Sequence, residues 1–384
     1  MSERTDRTDR RSKRPGRRNK REINYTFLLV AMALLGFGLV MVFSASSGIA
    51  RSNNQSGMYY FIRQFSYALV GIAVMLFLTY VVNYKFFYNK AIVALGVGVT
   101  FVLLVLVLVM GSEGGGATRW IEFGPIRLQP SEIAKFMTVV LMSKWLADYK
   151  GDIKKYGIMV LLLTPALAFA GMVLLGDHLS GAVIVALVGI ILVFAAGCKL
   201  SHLALTGLAF VPILFVAIKL EPYRMKRITS FLDPFADAQG SGWQVVQSLY
   251  SIGSGGMFGV GLGQSRQKYG FLPEPHTDFI FSVTCEELGF FGALLVILLF
   301  TVLVITGFKI ALSAPDRFSS LLVCGMTSLI ALQVILNIAV VTSALPCTGI
   351  TLPFFSYGGS ALVINLAEIG VVLNVSRHID KRRL

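Results

Sequence analysis

The sequence predicts an all-α polytopic membrane protein with ten transmembrane helices and one large loop between helices seven and eight. Three observations predict it. Of the 384 residues 55% are hydrophobic and 14% charged, with a mean hydropathy of +0.73, whereas soluble domains carry about 25% charged residues. Runs such as 92–110 and 181–197 contain no charge and approach the roughly 20 apolar residues that cross a bilayer core. Short polar or glycine-rich breaks separate ten segments of this kind.

The expected spans are 24–46, 62–82, 91–110, 132–148, 157–175, 180–197, 201–219, 279–307, 318–342 and 360–376. The fourth is the least apolar, because it holds Glu132, Lys135, Lys144 and Asp148. The eighth opens on polar residues. The start does not read as a cleaved signal peptide: its basic region is too long, and the apolar run after it is long enough to span. No internal repeat is visible.

Net charge is +14, and residues 1–22 hold ten Lys or Arg against four Asp or Glu. The tail from Arg377 is also basic. Both clusters border spans, so anionic lipid headgroups, not nucleic acid, are the expected partner. The organisation reads as a basic, disordered cytoplasmic segment at 1–22, a membrane domain at 23–378 and a basic cytoplasmic tail at 379–384. Lys85, Lys90, Lys150, Lys154, Lys155, Lys199, Lys309 and Arg317 fall in connections on the same side as both termini, which the positive-inside rule makes cytoplasmic. The opposite, extracytoplasmic side carries 47–61, 111–131, 343–359 and the long loop at about 220–278. That loop is too aromatic for disorder and is expected to be partly helical and packed on the bundle. Cys198, Cys285, Cys324 and Cys347 lie in or near apolar segments without metal-like spacing, which predicts free thiols.

Four constellations could carry chemistry. In Leu272-Pro273-Glu274-Pro275-His276-Thr277-Asp278, followed by Glu286 and Glu287, acid, imidazole and hydroxyl meet where a loop enters a membrane helix. A carboxylate there could accept a proton from a sugar hydroxyl, or Thr277 or Asp278 could simply cap the helix. On a helix Asp278 and Glu286 would stand about 12 Å apart, too far for the carboxylate pair of a retaining hydrolase. Arg119, Ser131, Glu132 and Lys135 form the second group. Arg119 and Lys135 could hold a diphosphate; alternatively Arg119 reaches headgroups and Lys135 pairs with Glu132 at i, i+3. Glycines at 253–263 follow no strand and lack the dinucleotide spacing, which leaves tight turns and close helix approach. Leu352-Pro353-Phe354-Phe355-Ser356-Tyr357, before the last span, could contact substrate or cap a helix, and Asp177-His178 is a further polar pair at a membrane edge.

Taken together, these motifs resemble the SEDS family (shape, elongation, division and sporulation) over about 24–378. The segments 272–281 and 352–360 carry its two signatures, and 231–234, 242–248 and 361–374 look like its division branch, with the elongation and sporulation branches close by. The resemblance implies a ten-helix SEDS-type fold and an inverting glycosyltransferase that polymerises lipid II into glycan strands. It implies Asp278 as the essential carboxylate, Glu274, His276 and Thr277 around its pocket, Arg119 and Lys135 at the diphosphate, and Ser356 and Tyr357 beside the substrate. Implied partners are a class B penicillin-binding transpeptidase and other membrane proteins of the division machinery. A divalent cation, Mg or Mn, would suit the chemistry, but no ligand set stands out. The segment 176–181 departs from the family pattern, which weakens any role for Asp177 or His178, and the glycines at 114–116 are looser than the pattern. Two rival functions fit ten spans: a lipid II flippase, for which inverted repeats would speak, and a scaffold, which leaves Asp278 and Lys135 without a purpose.

Overall fold

The computed structural model describes residues 22–380 except 53, 115–116, 125, 220–221 and 241, so residues 1–21 and the tail at 381–384 lie outside it. Among the described residues twelve α-helices form the body: α1 Tyr25–Ser52, α2 Tyr59–Tyr80, α3 Lys90–Met110, α4 Pro130–Asp148, α5 Tyr156–Leu175, α6 Leu179–Ala195, α7 Leu200–Lys219, α8 Pro222–Leu232, α9 Trp243–Ser254, α10 Ile280–Ser313, α11 Arg317–Val341 and α12 Gly359–Ser376. Each expected span coincides with one of α1–α7 or α10–α12. Among the described residues, seven of these (α1, α2, α3, α5, α10, α11 and α12) are long and apolar enough to cross a membrane by length and composition. The charges of α4 and the 17 residues of α6 set those two apart.

The expectation of an all-α chain needs one correction. Residues 112–128 form a three-stranded antiparallel meander, β1 Ser112–Gly114, β2 Ala117–Phe123 and β3 Ile126–Leu128. β1 and β3, of three residues each, are too short for alternation to separate them from a loop, and the seven residues of β2 (Ala117 to Phe123) do not alternate apolar with polar. The meander matters because β2 carries Arg119 toward the site.

Helix α4 explains its own polarity by position. It packs against α3, α5, α6, α11 and α12, and Glu132, Lys135 and Lys144 are buried along it. A helix surrounded by helices need not present an apolar face to lipid. Helices α2 and α12 approach closely through small residues: a Cβ on Gly71 would meet Leu366 at 2.5 Å, and one on Gly370 would meet the Met75 carbonyl at 2.7 Å. Asn374 Nδ2 donates to the carbonyls of Leu78 (2.7 Å) and Thr79 (3.1 Å), closing the end of α2.

The glycines at 255–263 serve both uses that the sequence leaves open: Gly255 and Gly259 permit close approach to α10, and Gly256, Gly261 and Gly263 take positive-φ turns. Helix α10 kinks at Gly289 (φ 66°), and the chain at 256–261 crosses the kink. Val260 N donates to Glu286 O (2.9 Å), Gly261 N to Glu287 O (3.0 Å) and Phe290 N to Gly256 O (2.9 Å). A Cβ on Gly289 would stand 2.3 Å from Gly259 N. The crossing segment thus satisfies polar groups that the kink frees. Glu286 and Glu287 belong to this anchor and not to the acid site beside which the sequence places them. Glu287 pairs with buried Lys268 at 2.8 Å, and Glu286 accepts from Ser265 Oγ (2.6 Å), Ser251 Oγ (3.0 Å) and Arg266 N (2.8 Å). The long loop is therefore partly helical, through α8 and α9, and tied to the bundle through buried charge. The four cysteines are free; three are buried and Cys324 is half-buried.

Candidate active site

The two signature segments, far apart in sequence, dock on each other. Tyr357 N donates to His276 O (2.8 Å), and Ser356 Oγ donates to Thr277 O (2.6 Å) while accepting from Leu352 N (2.7 Å). Gln64 of α2 locks the second segment, donating to Ser356 O (3.0 Å) and accepting from Gly358 N (3.2 Å). His276 is buried against the rings of Tyr60 (4.9 Å) and Tyr357 (5.4 Å). Burial holds its imidazole below the ordinary histidine value, so it is neutral. Ser356 thus spends its hydroxyl on backbone, and Tyr357 and His276 form an aromatic wall.

These contacts aim Asp278. The capping alternative fails here: the N-cap of α10 is Phe279, and no side chain caps that helix. Thr277 Oγ1 turns instead to Glu274 Oε2 at 2.8 Å. Asn337 of α11 donates through Nδ2 to the carbonyls of Asp278 (2.9 Å) and Ile350 (2.7 Å), tying the acid to the segment 347–350. That segment is held residue by residue. Arg227 Nη1 donates to Cys347 O at 2.9 Å, and Ser180 Oγ donates to Thr348 O.

Gly349, at φ +69°, is where the charges converge. A Cβ built on it would lie 3.3 Å from Asp278 Oδ2 and 3.8 Å from Arg119 Nη1. Burial, aided by the charge of Glu274, pushes the Asp278 carboxyl up to about 6, while Arg227 and Arg119 oppose the rise. A carboxylate near 6 is a competent base at neutral pH. Because a side chain at Gly349 would be strained and would crowd both groups, Gly349→Ala is expected to fold yet lose about 10- to 100-fold in turnover, the scale of a misplaced reacting group; kcat beside an unfolding midpoint checks it.

Arg119 also joins this cluster to a second one. Its Nη2 donates to Asp177 O at 3.3 Å, and it lines a small cavity with Pro130, Ser131, Gly176 and His178. His178 Nδ1 meets Ser131 Oγ at 2.9 Å, and burial holds the His178 imidazole far down the scale, beside Arg119 and Lys135. Lys135 pairs with Glu132 at 2.7 Å, both buried, the i, i+3 arrangement that the sequence offered as its alternative to diphosphate binding. The buried carboxylate of Glu368 on α12 is within electrostatic reach of both. Among the described residues no group of three or more His, Cys, Asp or Glu gathers to hold a metal ion.

Comparison with known proteins now places this architecture. The profile of the FtsW, RodA and SpoVE cell cycle proteins matches residues 25–381. The chain belongs to this family. The SEDS resemblance is thereby borne out across nearly the whole sequence. Stage V sporulation protein E of Bacillus subtilis is 41% identical over 355 residues, covering 91% of this chain and 96% of that protein. A probable peptidoglycan glycosyltransferase FtsW of Geobacter sp. strain M18 is 42% identical over 354 residues, covering 91% and 95%. Among solved structures, a peptidoglycan synthase complex that coordinates polymerization and crosslinking superposes with a TM-score of 0.75 at 30% identity, covering 93% of this chain and 98% of that one. Rod shape determining protein RodA of Thermus thermophilus gives 0.68 at 28%, covering 94% and 98%.

Asn337 and Gln64 were visible as amides inside apolar helices, a signal that intramembrane polar residues carry. Gly349 and Arg227 carried none, because their importance lies in a contact between distant segments.

Proposed function

We propose that this chain is a peptidoglycan glycosyltransferase that polymerises lipid II on the outer face of the bacterial inner membrane during septal wall synthesis. The carrying observation is Asp278: a half-buried carboxyl whose Oδ2 converges with Arg119 Nη1 on the Cβ position of Gly349, within the electrostatic reach of Arg227 and away from the buried Glu286–Glu287 anchor. The 4-hydroxyl of a GlcNAc attacks the anomeric carbon of a MurNAc from the face opposite the diphosphate. Asp278 takes the hydroxyl proton, the C1–O bond breaks with its electron pair going to the phosphate oxygen, and undecaprenyl diphosphate departs. Inversion follows from a single displacement. Glycosyltransferase names among relatives and the fold shared with a synthase complex support this reading. The same complex supports a transpeptidase partner. The distribution of Lys and Arg supports ten spans, cytoplasmic termini and a single membrane domain at 23–378.

The test is the pH profile. A base must be ionised to accept a proton, so kcat/KM is expected to be level above about 6 and to fall about tenfold per unit below it. Glu274 raises the Asp278 value, so Glu274→Gln is expected to move the acid limb to lower pH. A profile flat from pH 5 to 8, with a chemical step shown to be rate-limiting, would remove Asp278 as the base. The septal assignment has its own check, midcell enrichment of a tagged copy; uniform sidewall labelling would sink it.

A further inference from the structure

At the end of the bundle away from Asp278, a cavity of about 490 Å³ opens among Tyr84, Lys85, Tyr88, Asp316, Arg317 and Phe318. Helix α3, of 21 residues and so about 30 Å long, separates that end from the meander that carries Arg119. The cavity therefore belongs to the other face of the membrane domain and takes no part in the chemistry above. Three elements build it. Residues 84–88 form a 3₁₀ turn between α2 and α3, capped by Asn83 Oδ1, which accepts from Lys85 N (3.0 Å). Helix α4 ends beside that turn at Asp148, and the connection from α10 to α11 supplies Asp316 and Arg317.

The acids of the cavity are already engaged within its wall. Asp316 caps α11, accepting from Ser319 N (2.9 Å), and also accepts from the Tyr84 hydroxyl (2.7 Å). Burial and that bond push the Tyr84 hydroxyl up, so it stays a donor. Asp148 pairs with Lys144 at 2.8 Å and accepts from the Tyr88 hydroxyl, and Lys144 stands 4.2 Å from the centre of the Tyr88 ring. The cations at the mouth are less occupied. Lys85 is exposed and its ammonium has no partner among the described residues. Arg317, also exposed, makes only long bonds to the carbonyls of Tyr149 (3.5 Å) and Ala196 (3.3 Å), which leaves most of its five donors unused.

The surroundings set the depth. Phe86 and Tyr88 on the turn are 47% and 41% exposed, and Trp145, one turn before Asp148 on α4, is 45% exposed. Exposed aromatic rings at the ends of spans mark the headgroup level of a bilayer, and basic pockets between spans at that level take anionic headgroups. The cavity wall adds an apolar surface, with the rings of Tyr88 and buried Phe318 in contact at 5.1 Å.

We propose that this cavity binds one anionic phospholipid, its phosphodiester held between Lys85 and Arg317 and its glycerol and first acyl carbons against Tyr88 and Phe318. A guanidinium and an ammonium suit the phosphate oxygens, whereas the ammonium of a zwitterionic headgroup would meet two like charges. The bound lipid would bridge the 84–88 turn to the α10–α11 connection. Through Arg317 it would also reach the turns after α4 and α6 and so clamp this end of the bundle. The inference does not depend on the polymerase reading.

The experiment titrates the purified full chain in detergent with phosphatidylglycerol or phosphatidylcholine and counts retained lipids by native mass spectrometry. Wild type is expected to hold its first phosphatidylglycerol at least about tenfold more tightly than phosphatidylcholine. Lys85→Gln is expected to weaken that first site about tenfold, and Lys85→Gln with Arg317→Gln about 100-fold, the scale of one and two charge-assisted hydrogen bonds. Lys154→Gln with Lys155→Gln removes the same charge from the same end of the bundle, outside the cavity, and should leave the first site within about twofold of wild type. Equal losses from the two double variants would overturn the proposal and leave general attraction to a basic face. Lys85→Gln with affinity within about twofold of wild type would also overturn it. If the Arg317 variant does not fold, Lys85→Gln decides alone, because the Lys85 ammonium has no partner for the fold to lose. Glycerol 3-phosphate, the headgroup phosphate without acyl chains, should not displace the lipid at equal concentration; displacement would assign the cavity to a soluble phosphate and overturn the lipid.

Discussion

Asp278→Asn is expected to lower glycan polymerisation by about 10²- to 10⁴-fold, the range that a positioned general base contributes. The substitution keeps the shape of the side chain and removes its basicity. The Asp278 contact to Asn337 runs through its backbone carbonyl at 2.9 Å, so the fold should survive and lipid II should still bind. The effect should fall on kcat with little change in KM. Asp278→Glu is expected to retain a basic group but displace it by one methylene toward Gly349, where a Cβ already would stand 3.3 Å from Oδ2, and so to rescue only partly. The checks are initial rates across lipid II concentrations and a thermal midpoint for each variant. A fully active Asp278→Asn would remove the base and move the search to Glu132 and Glu368, the buried carboxylates near Lys135.

The second large effect concerns stability. Lys268→Met is expected to destabilise the chain by about 3–5 kcal/mol, because it strands a buried carboxylate without its cation. Lys268 is 1% exposed, and its ammonium meets Glu287 Oε1 (2.8 Å), Ser44 Oγ (3.1 Å) and Gly263 O (2.8 Å). The loss should be felt first in the long loop, since Lys268 ties residues 263–268 to α1 and α10. Glu287→Gln alone should also be costly, whereas Lys268→Met with Glu287→Leu should recover much of the loss, because the two desolvated charges are then removed together. Thermal unfolding in detergent, with proteolysis of the loop as a second probe, checks both. If Lys268→Met unfolds at the wild-type midpoint, the network is not what anchors the loop.

Much of the architecture could be read from the chain alone, and the parts that could not share a cause. Runs such as 92–110 declare a span by length and the absence of charge. The fourth expected span is the least apolar, because it holds Glu132, Lys135, Lys144 and Asp148, and burial of α4 by five neighbouring helices explains why it needs so little hydropathy. The site was half legible. Asp278 and His276 stood out because ionisable groups at a membrane edge are expensive, yet Glu286 and Glu287, two further carboxylates a few positions on, went to a structural anchor. Nothing local separates them: the difference is made by Lys268 and Ser265 arriving from the loop. Gly349, Asn337 and Arg227 act through contacts between distant segments, such as the Asn337 bond to Asp278, 59 residues away, and the Arg227 bond to Cys347, 120 residues away. The meander at 112–128 was missed because two of its strands have three residues each and the seven of β2 do not alternate apolar with polar.

The account turns on a polymerase whose chemistry sits at Asp278, and the most direct measurement is glycan polymer formed from lipid II by the purified chain together with a class B transpeptidase, resolved by length on a gel. Polymer from wild type and none from a folded Asp278→Asn is the predicted result. Lipid II moved across a vesicle membrane by both proteins, with no polymer from either, would contradict the account and make the chain a flippase.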